Sequence, residues 1–192
     1  MLTAQDALAG CVRPGSTVAF GDGTSAPAGL AEALSTAARR AGGVRLLLGW
    51  CLELPADLDL GAFADARTFI ASNALREPVA AGQVHYVPAR LGALPALLAG
   101  PWRPDVLVGT ARPGHRGLTF GAEVGWMRAA AAVAGTVVVE VDHALPYATR
   151  TDELAGREVV VAAETSRGPL RVPSPRPDPA ATALGERVAA LV

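Results

Sequence analysis

The chain has 192 residues, 51% of them hydrophobic, with 17 basic and 18 acidic side chains and a net charge of −1 at pH 7. That length suits one domain around a single sizeable core, and a charge so near zero leaves no electrostatic footprint for nucleic acid or an anionic membrane. Every basic residue is Arg, and the lack of any Lys excludes a Schiff-base or P-loop lysine.

Residues 3–11 predict a short amphipathic helix with Leu8 and Cys11 on one face, stopped near Pro14-Gly15. Thr17 to Phe20 predicts a buried strand. The loop Gly-Asp-Gly-Thr-Ser follows, then a helix over 26–41 with Pro27 in its first turn and Gly42-Gly43 at its end. Further strands are expected over 44–49, 67–72 and 83–86, with a helix over 91–99. A fifth strand is expected over 105–109, a helix around 123–135, a sixth strand over 136–141 and a late one over 158–164. Strands apolar on both faces and alternating with helices argue for an α/β fold, with a mainly parallel sheet covered by helices on both faces.

Residues 169–179 have a linker's proline content, and a helix from Pro179 to Val192 places Leu184, Val188 and Leu191 in register. The chain thus divides into a domain over 1–168 and, over 169–192, a linker with the start of a helix. That helix ends on Ala-Ala-Leu-Val without a cap or glycine. Docking back on the same domain and leading into a second, absent domain fit this equally. Two separated cysteines, Cys11 and Cys51, suit a reducing compartment. No signal-peptide pattern opens the sequence, and the apolar run from Arg128 to Val141 is too short to span a bilayer. The expectation is a soluble cytoplasmic protein without a membrane partner.

Ligands of parallel sheets bind outside the carboxyl ends of the strands, where the loops 21–25 and 112–121 are placed. Gly21-Asp22-Gly23 reads either as a tight turn or as a cradle of backbone N–H groups for an anion, although the Asp22 carboxylate would repel a phosphate. In the second loop His115 suits a general base, and Arg112 or Arg116 suits pairing with a carboxylate or phosphate; a solvated turn explains the same residues. His85 and His143 lie near strand ends with no such setting. Glu140 and Asp142 close an apolar strand, where catalytic groups gather and where strands also simply stop. No metal-ligand spacing and no nucleophile elbow occur.

Five segments in order resemble the N-terminal half of the acetyl-CoA hydrolase/transferase family, which includes acetate and 4-hydroxybutyrate CoA-transferases. They are DALAGCVRPGSTVAFGDGTSAPAGLAEAL, HYVPARLGALPALL, PDVLVGTARPGHRGLTFG, EVDHALP and PDPAATALGERVAALV. The resemblance implies a CoA-transferase-like fold, related to that of sugar-phosphate isomerases. It implies substrate contacts from Gly21, Asp22, Gly23, Pro27, Pro113, Gly114, His115, Gly117, Gly121 and Asp142. There are departures: Gly114 stands where an acid is usual after Pro113, Arg116 holds the usual His position, the loop is one residue shorter, and Asp142 replaces an Asn. Substrate preference therefore does not carry over.

The chemistry so implied is a covalent relay. A glutamate carboxylate attacks an acyl-CoA thioester to form an acyl-glutamyl anhydride, released CoA returns to form a glutamyl-CoA thioester, and a small carboxylate or water completes the cycle. Glycine-loop N–H groups stabilise the oxyanions. In the family that glutamate lies in the C-terminal half, so the resemblance assigns no catalytic residue here. Coenzyme A enters as substrate, without a metal. A C-terminal domain or subunit is the implied partner, and a homo-oligomer is allowed. A sugar-phosphate isomerase-like enzyme is a second reading, against which Asp22 counts. A non-catalytic binding or assembly module on the same fold is a third.

Overall fold

The computed structural model describes residues 3–121, 125–147, 154, 156–174 and 176–191. Helix α1 (Ala4–Cys11) begins at Thr3, whose side chain accepts from the Asp6 N–H. Strand β1 (Thr17–Phe20) follows, buried throughout. Next come α2 (Ala31–Ala41), β2 (Arg45–Leu48), β3 (Asp65–Thr68), α3 (Arg76–Ala80), β4 (His85–Tyr86) and α4 (Leu94–Ala99). The second half adds β5 (Val106–Pro113), β6 (Leu118–Thr119), α5 (Met127–Val133), β7 (Thr136–Asp142), β8 (Val160–Thr165) and α6 (Pro179–Ala189).

Seven strands form a parallel sheet in the order β4-β3-β2-β1-β5-β7-β8, and β6 folds back antiparallel on the end of β5. This is the α/β architecture expected from the alternating pattern. Because successive strand residues point to opposite faces, the core divides in two. Leu8, Phe20, Leu34, Leu46 and Val108 pack beneath α1 and α2, while Leu47, Leu94, Leu107, Phe120 and Met127 pack with α4 and α5. Each large side chain so buried contributes about 1.5–3 kcal/mol.

The chain runs outward from β1 to β4, then returns to place β5 on the other side of β1. The crevice at the carboxyl ends of β1 and β5 is therefore a topological switch point. The two strands leave it in close contact. A Cβ on Gly21 would lie 3.2 Å from the Gly109 Cα and 3.1 Å from the Pro27 Cδ.

Several elements differ from expectation in their bounds. Pro27 precedes a 3₁₀ turn (Ala28–Leu30), and the α-helix starts only at Ala31. The third strand lies at Asp65–Thr68, earlier than 67–72, because the Thr68 hydroxyl turns to the backbone of Ile70 and the chain bends there. Strand β5 continues to Pro113, so the loop expected from residue 112 is in part strand. Helix α5 is shorter than 123–135, and Glu123 lies outside the described residues. Helix α3 and strand β6 had no counterpart in the sequence reading. Helix α6 starts at Pro179, capped by Asp178, and every described residue in it is exposed.

Candidate functional site

A cavity of ≈ 300 Å³ opens at the carboxyl ends of β1, β5 and β7, on the sheet face covered by α1 and α2. Thr24, Ser25, Ala26 and Ala28 form one wall, residues 53–56 a second and residues 167–170 a third. Thr110 and Asp142 line it from β5 and β7. Thr110 is in register with Glu140 on the neighbouring strand, so these two side chains and Asp142 stand on one face.

Two buried carboxylates organise this corner. Glu140 is 2% exposed; its Oε2 accepts from the Gly29 N–H (3.0 Å) and its Oε1 from the Arg167 Nη2 (2.6 Å). Asp142, also 2% exposed, accepts from the Ala144 N–H on Oδ1 and the Gly168 N–H on Oδ2, both at 2.9 Å. The Leu170 N–H donates to the Thr24 carbonyl (2.8 Å). Residues 167–170 are thus strapped across the cavity from three sides. With both oxygens engaged and the side chain almost wholly buried, Glu140 is not presented as a nucleophile. Among the described residues the buried Thr110 hydroxyl has no hydrogen-bond partner.

The glycine loop shapes the approach to the cavity while its own amides are engaged. The Gly21 N–H donates to the Val108 carbonyl (2.7 Å) and the Gly23 N–H to the Trp50 carbonyl (2.6 Å). Those two groups therefore hold β1 to its neighbours and do not form an anion cradle. Asp22 is buried and engaged, with its carboxylate beside Gly49 and Gly125. Pro27 packs its ring against Gly21. The lining begins one residue after the glycines, at Thr24.

The second loop is a hairpin formed by β5 and β6, closed by the Gly114 N–H on the Gly117 carbonyl (2.6 Å). The Arg112 Nη1 donates to the Leu145 carbonyl (2.6 Å), and its guanidinium lies 5.4 Å from the centre of the Tyr147 ring. The His115 ring meets the same tyrosine edge-on at 5.0 Å. Gly121 has φ +68°, and a Cβ there would lie 3.1 Å from the Pro146 carbonyl oxygen. Pro113, Gly114, His115, Gly117 and Gly121 therefore build a hairpin packed on residues 145–147 and do not line the cavity. Of the ten residues singled out from the sequence, Asp142 lines it directly.

The remaining candidates are accounted for locally. His85 Nδ1 lies 3.0 Å from Asp65 Oδ1, and His143 Nε2 lies 3.1 Å from Glu164 Oε2, both on the surface. Burial pushes the Cys51 thiol up, against a hydrogen bond with Ser72 that lowers it, and the Asp22 charge reinforces the rise. A thiol held protonated in this way is a poor nucleophile. No three His, Cys, Asp or Glu side chains gather as a metal site among the described residues. None of the described helices is long and apolar enough to cross a membrane.

The α/β fold is like that of a solved CoA-transferase structure, and its cavity lies at the strand switch point. The chain superimposes on RipA from Yersinia pestis with a TM-score of 0.80 at 21% identity, covering 99% of this chain and 48% of that one. It superimposes on a 4-hydroxybutyrate CoA-transferase from Porphyromonas gingivalis with a TM-score of 0.63 at 20% identity, covering 99% and 45%. The chain therefore spans about half the length of these two structures. Its sequence matches no family model and no curated protein.

Arg167, Gly29 and Thr110 had not been singled out from the sequence. Arg167 stands in a Ser-Arg-Gly-Pro turn just past the last strand, so the carboxyl-end rule pointed to its position. The ion pair spans 27 residues of sequence, and no local pattern signals it.

Proposed function

We propose that this chain forms part of the acyl and CoA pocket of an acyl-CoA:carboxylate CoA-transferase or acyl-CoA hydrolase, with the glutamate nucleophile supplied by a second domain or subunit. The observation that carries the reading is the alignment of this whole chain with one half of a CoA-transferase of about twice its length. The site agrees with it. The cavity has room for an acyl group, and its buried glutamate has both oxygens engaged. In this reading residues 1–168 are the domain, and 169–192 carry the chain toward its partner. Leu184 and Val188 on α6, 64% and 52% exposed, and Leu191 just past its end, 87% exposed, give an apolar stripe for that contact.

The test is thioester turnover with acetyl-CoA and butyryl-CoA, with and without acetate, following free thiol and CoA exchange. The chain alone is expected to be inactive, and addition of a C-terminal CoA-transferase domain is expected to bring turnover. Turnover by the chain alone would overturn the division of labour. No turnover in the mixture would overturn the reading itself.

A further inference from the structure

Resting on the acyl-pocket reading above, we propose that the cavity takes a short, uncharged acyl chain and rejects one that ends in a second carboxylate. Arg167 is the one cation among the described lining residues, and taken alone it would mark a carboxylate reader. Its charge is already answered. Glu140 stands behind it, shielded from solvent, and holds the Arg167 Nη2 at 2.6 Å while its other oxygen is fixed by the Gly29 N–H.

The other charges among the described lining residues are negative. Asp142 takes its two hydrogen bonds from neutral backbone donors, so its charge is stabilised without being cancelled. Glu53 adds another carboxylate to the lining. Among the described residues one cation thus faces three carboxylates, two of them buried, and a ligand carboxylate entering the cavity meets net repulsion. The cavity volume, ≈ 300 Å³, sets the length. At about 30 Å³ for each water-sized group that volume corresponds to on the order of ten non-hydrogen atoms, the size of a short acyl chain.

The experiment titrates the chain with the N-acetylcysteamine thioesters of butyric and succinic acid, which share a four-carbon acyl chain and differ in the terminal carboxylate. Saturation-transfer NMR reads binding. The butyryl ester is expected to saturate at a concentration at least tenfold lower than the succinyl ester. Glu140→Gln removes the neutralising charge and is expected to narrow that ratio to less than threefold. Arg167→Gln, made in parallel because Glu140→Gln also disturbs a buried pair, is expected to widen it. Equal or tighter binding of the succinyl ester by the unmodified chain overturns the charge inference and leaves the acyl pocket standing. Binding of neither ester overturns both.

Discussion

The cavity corner and the β5–β6 hairpin sit on the same edge of one sheet, and both combine glycines with an arginine. In the cavity corner a buried carboxylate holds the Arg167 guanidinium, and the chain around it leaves an open volume. In the hairpin the Arg112 guanidinium meets a carbonyl and the Tyr147 ring, and His115 fills the space on that ring. Glycine and charge are thus common to a cavity and to a packed turn. What separates them is whether polar side chains close on one another around a space or close on the chain itself.

The largest expected effect lies at the end of β2, on the sheet face opposite the cavity, where the chain packs against Trp126 and Asp22. A Cβ on Gly49 would lie 2.1 Å from the Trp126 Nε1 and 2.5 Å from the Asp22 Oδ2. Gly49→Ala must displace an indole and a buried carboxylate together, at about 3 kcal/mol of stability. Gly92→Ala, with nothing within 4 Å, serves as the control and is expected to change stability little. Urea unfolding of both variants checks this, and equal midpoints would show that the Gly49 contact relaxes freely.

The two arginines provide the direct contrast. Arg167→Ala leaves the Glu140 carboxylate buried without its cation, a loss of about 2–3 kcal/mol once the half-exposed position of Arg167 is allowed for. Arg112→Ala gives up a bond to a neutral carbonyl and a ring contact, about 1 kcal/mol. Denaturant unfolding of the two variants under one buffer decides it. A larger loss for Arg112→Ala would reverse the view of which corner is electrostatically organised.

Much of the fold was legible in the sequence because its signals are local. Val18 to Phe20 and Val137 to Val139 are unbroken apolar runs, and such runs form the buried strands of a parallel sheet. The hairpin was less legible: Pro-Gly-His-Arg-Gly reads as an open loop, and the pairing of Arg112 with Thr119 depends on register across the turn. The site was the least legible. Asp142 could be singled out from its place at a strand end. The partners that fix its corner, Gly29 on one side and Arg167 and Gly168 on the other, lie far from it in sequence, with contacts up to 111 residues apart. Glycine content drew attention to Gly21 and Gly23, whose amides in fact bind neighbouring strands.

The smallest effect concerns charges remote from both corners, at the edge of the sheet. Asp65 receives a hydrogen bond from the Arg67 Nε (2.6 Å) and meets the His85 Nδ1 (3.0 Å). Burial raises its carboxyl pKa, but the His85 and Arg67 hydrogen bonds outweigh burial and hold it below the ordinary 3.8. A lowered folded-state pKa means that folding favours the carboxylate. Its contribution is present above the unfolded value and is lost as pH falls through the folded one. Asp65→Asn removes that contribution, so its unfolding free energy should fall less steeply than the parent's on acidification below about pH 4. At neutral pH the variant should be weaker by about 0.5–1 kcal/mol, as suits a partly exposed pair. Urea unfolding at stepped pH measures both. Parallel curves for the two proteins would mean that the edge cluster holds no net free energy, and that the electrostatics which matter here are confined to the buried corner at Glu140.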